Sequence, residues 1–492
     1  MAHLKFLFSL LLATMLSPAV ADVSNYVASI KSDPNALYAF FKEMPKGGEL
    51  HYHLDGGAYA ETLLELASHD AYCLNPQTFV IQKTTTDCVG IPSDHISAQQ
   101  ALYAQTIRAW SMNDFVPGSE SNHDHFHAIF SKIYGLESQI RPSLLASIMR
   151  RAASQHELYL EVYLAADKAP SNAWASLIQK DTTLIDKQRT LLANADFQKN
   201  ITHTVDESKH ILEQARQELH CGDADHEPAC EVTVTFQYFA LREQPLDNVF
   251  AQALTGFAAA SRSSDVVGVN LVQVEDSFVA LRDYRQHMRI FEFLHQAYPS
   301  VHIALHAGEI NPKAVRPGEL RFHIHDAIHT GHAERIGHGV DIAYEDHAET
   351  LLDTMRAKAI PVEINLTSNR VILNISDKQH PLPYYLAHHV PVVLSTDDEG
   401  ILRTDLTRQY VEAVLNHHLD YPTIKLINRN ALTYNFLPGK NLWEDPEKQI
   451  RVSTCDDLTS KSCQEFIKNN PKARLQWQLE RKLITFEKRF VH

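Results

Sequence analysis

Apolar residues gather along the chain into eight short runs, separated by longer stretches with helical patterning. The runs are 49–54, 158–164, 232–241, 266–274, 301–305, 334–336, 361–366 and 390–394. Brief strands alternating with helices predict parallel βα units, and eight of them predict an α/β fold, a (β/α)8 TIM-type barrel with helical insertions and a C-terminal extension. An open doubly wound sheet is the competing arrangement, but no G-x-G-x-x-G follows the first run. Residues 22–43 read as one short helix ahead of a barrel at 44–439, with insertions near 68–100 and 167–231. Beyond Gly439 the chain turns charged, so 440–492 reads as the extension.

Composition narrows the function classes. With 44% hydrophobic and 21% charged residues among 492, the chain is globular rather than disordered or low in complexity. The 45 basic and 60 acidic residues leave a net charge of −15, which argues against sequence-independent binding to nucleic acid or an anionic membrane. Residues 1–21 have the layout of a secretory signal peptide: Lys5, an apolar run from Phe6 to Met15, then Ala19-Val20-Ala21 before Asp22. That run is shorter than the roughly 20 apolar residues a membrane span needs. Cleavage near Ala21 and a secreted or periplasmic protein, with no membrane attachment afterwards, are the expectation. Six cysteines in such a chain read as disulfides; of the roughly 15 pairings open to them, the expected one is local, Cys73 with Cys88, Cys221 with Cys230 and Cys455 with Cys463. None of the couples has the C-x2-C spacing of a zinc site.

Candidate chemistry sits where the predicted strands end. His51 and His53 are two residues apart on the first run, so both imidazoles face one side. His306 and Glu309 follow the fifth run, His338 the sixth, and Asp397 with Asp398 the eighth. The carboxyl ends of barrel strands are where barrel enzymes carry their reactive groups. Adjacent aspartates there have no packing role, because a buried carboxylate costs several kcal/mol unless paired or metal-bound. Three histidines and an aspartate make a four-ligand site for Zn2+ with an open position for water.

These motifs, in this order from about Met44 to Pro438, resemble the adenosine deaminase family within the amidohydrolase superfamily. Met44-Pro45-Lys46, the signal peptide and the cysteine-bearing insertions are similar to its secreted branch, the adenosine deaminase-related growth factors. The resemblance implies one Zn2+ per chain on His51, His53, His306 and Asp397. It implies that Glu309 protonates purine N1, that His338 holds and deprotonates the metal-site water, that Asp398 bonds N7 and that Asp55 meets the ribose hydroxyls. His53 is thereby placed at the substrate as well as the metal. The implied partner is a small-molecule purine nucleoside. The branch's N-terminal dimerisation domain is mostly absent, because only residues 22–43 precede Met44; the oligomeric state stays open. Two positions depart from the family: Gln273 stands where a glycine approaches the purine, and Glu399 where proline is usual.

Other histidines read more plainly. His123, His125 and His127 lie in a segment that looks helical, where only His123 and His127 share a face, so a second metal is not expected. His388, His389, His417 and His418 read as solvated helix positions. Lys46 is given no catalytic work. Asn369 and Arg370, after the seventh run, either line the pocket or brace a loop.

Overall fold

The computed structural model describes residues 18–84, 87–136, 140–170 and 172–491; residues 1–17 of the expected signal peptide lie outside the described residues. Eight parallel strands form one sheet in chain order. They are β1 (Lys46–His53), β2 (Glu157–Tyr163), β3 (Thr233–Leu241), β4 (Val266–Val272), β5 (His302–Ala307), β6 (Arg335–His338), β7 (Val362–Ile364) and β8 (Val392–Leu394). Each overlaps one of the eight apolar runs, and helices connect them into a (β/α)8 barrel. The sheet closes just past β8. His53 donates its backbone N–H to the Asp397 carbonyl at 3.1 Å, and Asp397 donates to the His51 carbonyl at 3.2 Å. That seam carries three candidate metal ligands into register with one another.

The barrel interior is charged as well as apolar. The buried Arg335 guanidinium donates to Glu161 at 2.5 Å and Glu363 at 2.6 Å, over the Phe436 ring at 3.8 Å. Tyr159 and Gln237 also donate to Glu161, at 2.6 and 2.7 Å. Ions are tolerated in a core only when neutralised and hydrogen-bonded in this way. The cluster leaves the second oxygen of Glu363 free to serve the site above it.

Two expectations need correction. Residues 22–43 do not form one helix but parts of two, α1 (Pro18–Ile30) and α2 (Pro34–Glu43). Asp33 breaks the run: its carboxylate caps α2 by accepting from the N–H groups of Asn35 and Ala36, and Pro34 supplies the first helical position. The insertion near 68–100 is not purely helical either. It contains a small antiparallel sheet (Tyr72–Leu74, Ile81–Lys83, Ile91–Pro92) whose strands are too short to show a period. The second insertion is helical as expected, over Asn172–Ile178, Leu184–Ala193 and Ala195–Glu218.

The C-terminal extension ends in a helix, Pro471–Glu487, whose Leu475, Leu479, Leu483 and Phe486 join Phe40 and Phe41 of α2 in the main core. Lys46 closes α2 at its other end, donating to the carbonyls of Phe41, Met44 and Gln155. The three local cysteine pairs are disulfides, with Cα–Cα distances of 5.5, 5.4 and 4.6 Å. Among the described residues no helix is long and apolar enough to cross a membrane.

Candidate metal centre

His51, His53, His306 and Asp397 each offer a ligand atom, and these atoms all lie within 4.8 Å of one another. Asp397 Oδ1 stands 3.3 Å from the Nε2 atoms of both His51 and His53, and His53 Nε2 is 3.3 Å from His306 Nε2. The outer ring nitrogens are spoken for. His51 Nδ1 meets Glu363 at 2.8 Å, and His306 Nδ1 meets the Asn270 oxygen at 2.9 Å. Both rings therefore donate outwards and turn an unprotonated Nε2 inwards, as metal-ligating histidines do. Among the described residues His51 Nε2 has no hydrogen-bond partner. Imidazole lone pairs converging on one carboxylate in a buried pocket repel each other unless a cation lies between them. The donor set fits a divalent metal of the zinc type.

Glu309 and His338 stand beside these ligands. Glu275, at the turn after β4, accepts the backbone N–H groups of Gly308 and Glu309 at 3.0 and 2.8 Å and so fixes the loop after β5. Glu309 Oε1 then lies 3.7 Å from His338 Nε2. Burial, then the charges of Asp397 and Glu275, push the Glu309 carboxyl up to about 8. Burial and the neighbouring Asp397 hold Asp398 well above the usual carboxylate range. Burial and neighbouring carboxylates thus favour the protonated form of both Glu309 and Asp398.

The backbone is strained where the chemistry is placed. Gln273, His338 and Asp397 have φ of +81°, +67° and +69°, at the ends of β4, β6 and β8. A side chain in this left-handed region costs on the order of 1–3 kcal/mol and persists only where the surroundings hold it. Gln273 keeps the backbone shape a glycine would take there, while its side-chain oxygen accepts the Glu243 N–H at 3.0 Å. Asp398 rests directly on Gly56, where an added β-carbon would stand 1.5 Å from Asp398 Oδ1. Asp55 is half exposed at the rim, 4.0 Å from Arg141.

The remaining candidates separate cleanly. His123 and His127 share a helical face with rings 4.5 Å apart, and His123 Nε2 meets Asp276 at 3.2 Å. His125 stacks on Phe115 instead. No third ligand joins the pair His123 and His127 among the described residues. Glu399 accepts from Tyr52 and Arg151 and ties β1 to helix Arg141–Ser154. His417 is buried rather than solvated, with its ring 5.3 Å from His380. Asn369 turns inwards to His338 Nδ1 at 3.0 Å, whereas Arg370 turns outwards to Glu412. Glu363, Asn270 and His380 are functional neighbours that no sequence motif marks. A charged residue inside the three-residue apolar strand β7 was the available signal for Glu363; nothing local marks the other two.

A parallel barrel with three histidines and an aspartate converging at the carboxyl ends of its strands has a donor set suited to one metal ion. Residues 207–444, just under half of the chain, match the sequence model of the adenosine deaminase family. They include β3 to β8 with His306, Glu309, His338, Asp397 and Asp398, whereas His51 and His53 lie before them. An adenosine deaminase of Escherichia coli O1:K1 is 36% identical over 140 residues, 28% of this chain and 39% of that protein. The chain thus spans about two fifths of that relative's length. Among solved structures, Arabidopsis ADAL complexed with IMP is similar with a TM-score of 0.54 at 19% identity, over 91% of this chain and 99% of that one. An amidohydrolase from Burkholderia ambifaria with bound Zn has a TM-score of 0.52 at 15% identity, over 90% and 94%. At such identities these two likenesses concern the fold.

Proposed function

We propose that this protein is a zinc-dependent purine nucleoside deaminase, converting adenosine or 2′-deoxyadenosine and water to the inosine product and ammonia. The carrying observation is the placement of two carboxyls, the largely buried Glu309 and the buried Asp398, beside a three-histidine, one-aspartate ligand set, in surroundings that favour their protonated forms. A zinc ion on His51, His53, His306 and Asp397 would supply a water acidified to a pKa near about 7. The chain's own groups do the rest. Purine N1 and N7 are acceptors, and each protonated carboxyl is a donor. Glu309 delivers its proton to N1 as the attacking oxygen adds at C6, so that charge does not build on the ring. Asp398 donates to N7 and fixes the ring plane. The attacking water gives up two protons: one leaves with the amine as ammonia when the C6–N bond breaks, and the other returns Glu309 to its acid form. Asp55 at the rim would meet the sugar hydroxyls.

A nucleoside fits better than its phosphate. The rim cations already face carboxylates: Arg141 faces Asp55, Arg370 faces Glu412 and Arg403 faces Glu61. The −15 chain offers no uncompensated basic cluster at the site motifs. The three disulfides, with the signal-like amino-terminal sequence, support a secreted or periplasmic protein of the family's secreted branch.

The test is kcat/KM for adenosine, 2′-deoxyadenosine, adenine and AMP, in the parent and in Gln273→Gly. The nucleosides are expected to lead, with a changed ranking in the variant because the Gln273 amide nitrogen is left to read the purine edge. A parent that prefers AMP or free adenine defeats the nucleoside assignment, and an unchanged ranking makes Gln273 a bystander.

A further inference from the structure

The hydrogen bonds behind His338 run in one direction. The Leu382 backbone N–H is a donor and nothing else, and it points at His380 Nδ1 at 3.1 Å. That nitrogen must therefore be bare, which puts the His380 ring hydrogen on Nε2. His380 Nε2 lies 3.0 Å from the Asn369 side-chain oxygen and donates to it. The orientation of the Asn369 amide is settled by that bond, so its NH2 faces the other way and donates to His338 Nδ1 at 3.0 Å. The Asn365 NH2 lies 3.5 Å from the same nitrogen and adds to the effect. His338, Asn369, Asn365 and His380 are all buried, so no solvent competes for these bonds. Burial also lowers His380 to about 3 and keeps it neutral. With Nδ1 accepting, a neutral His338 carries its hydrogen on Nε2. This nitrogen has no hydrogen-bond partner among the described residues and faces Glu309 and Asp397 at 3.7 and 3.8 Å.

We propose that Asn369 and His380 are positioning residues that lock His338 into the Nε2–H tautomer, so that this imidazole meets the attacking oxygen as a hydrogen-bond donor and not as its base. The inference rests on the deaminase reading for its kinetic consequence, but the tautomer itself does not depend on it. The chain of donors starts at a backbone amide, which cannot reverse. It also gives the helix Leu366–Leu373 a defined task, since it is this helix that carries Asn369 to the ring.

The zinc-loaded full chain tests this with three variants and one spectrum. Asn369→Asp places an acceptor at His338 Nδ1, which moves the ring hydrogen to Nδ1 and leaves Nε2 bare. Its kcat should fall roughly 10²–10⁴-fold, the range for losing a correctly protonated catalytic imidazole, with KM and zinc content unchanged. His380→Leu frees the Asn369 amide to turn and should lose activity in the same sense. His380→Gln retains an N–H donor at the reach of Nε2 and should recover most of the loss. An Asn369→Asp variant within about threefold of the parent, or a His380→Gln as weak as His380→Leu, would overturn the proposal. The 15N spectrum of histidine-labelled protein gives a readout independent of turnover. The signals absent from His338→Gln should report a protonated Nε2 in the parent and a protonated Nδ1 in Asn369→Asp. A parent with Nδ1 protonated refutes the lock even if the enzyme is active. A parent with the expected spectrum that releases no ammonia from adenosine leaves the lock standing and defeats the deaminase reading instead.

Discussion

Glu309 shows how one residue's surroundings set its chemistry. Its carboxyl is desolvated, its neighbours Asp397 and Glu275 are negative, and Glu275 anchors its backbone. Each effect favours the neutral acid that a proton donor must be. Glu309→Gln preserves the shape and a hydrogen bond but carries no transferable proton. Turnover should therefore fall by at least roughly 10²-fold while zinc content stays at the parental value; steady-state kinetics with elemental analysis checks both, and a variant near parental turnover would remove Glu309 from the acid role. The residues with intrinsic chemical signatures were visible in the sequence, because a histidine pair or an aspartate pair at a strand end has no packing explanation. Their supports were not. Glu363 and Asn270 are ordinary polar residues, and only folding reveals that they lie behind His51 and His306.

At the scale of elements, the strands were legible because brief, mainly apolar runs such as 301–305 and 390–394 end in polar chemistry. Even β7 and β8, three residues each, are wholly buried. Elements without that signature escaped: the break at Asp33 lies inside an apolar helical pattern, and the small sheet in the first insertion has strands of two and three residues. The left-handed backbone at His338 and Asp397 was likewise invisible, since neither residue type announces it. The disulfides staple insertions and extension, with sequence separations of 15, 9 and 8. Closing loops of that size stabilises by about 2–3 kcal/mol each in the chain-entropy account. None of the six cysteines belongs to the ligand set. Reduction should lower the thermal midpoint by several degrees while leaving kcat per folded molecule unchanged. Loss of kcat before any loss of fold would show that an insertion shapes the site.

For the whole molecule, the buried charges converge on one pH response. Glu309 must be protonated to donate, and its carboxyl is raised to about 8. Below that value the acid is present; as pH rises through it, the acid is lost and turnover should decline. A divalent cation next to Asp397 cancels part of the negative field that raises Glu309, so the alkaline limb in the loaded protein should lie at or below about 8. A kcat profile that is flat to well above that pH would assign the proton to another group.

The central claim is that one metal, held by His51, His53, His306 and Asp397, makes this barrel a deaminase. The most direct measurement is ammonia release from adenosine as metal-stripped protein is titrated with zinc. Activity should start near zero, rise linearly and level off at one zinc per chain, and the same titration of His306→Ala should stay flat. A plateau at two equivalents, full activity in the stripped protein, or no ammonia at any zinc concentration would contradict the account.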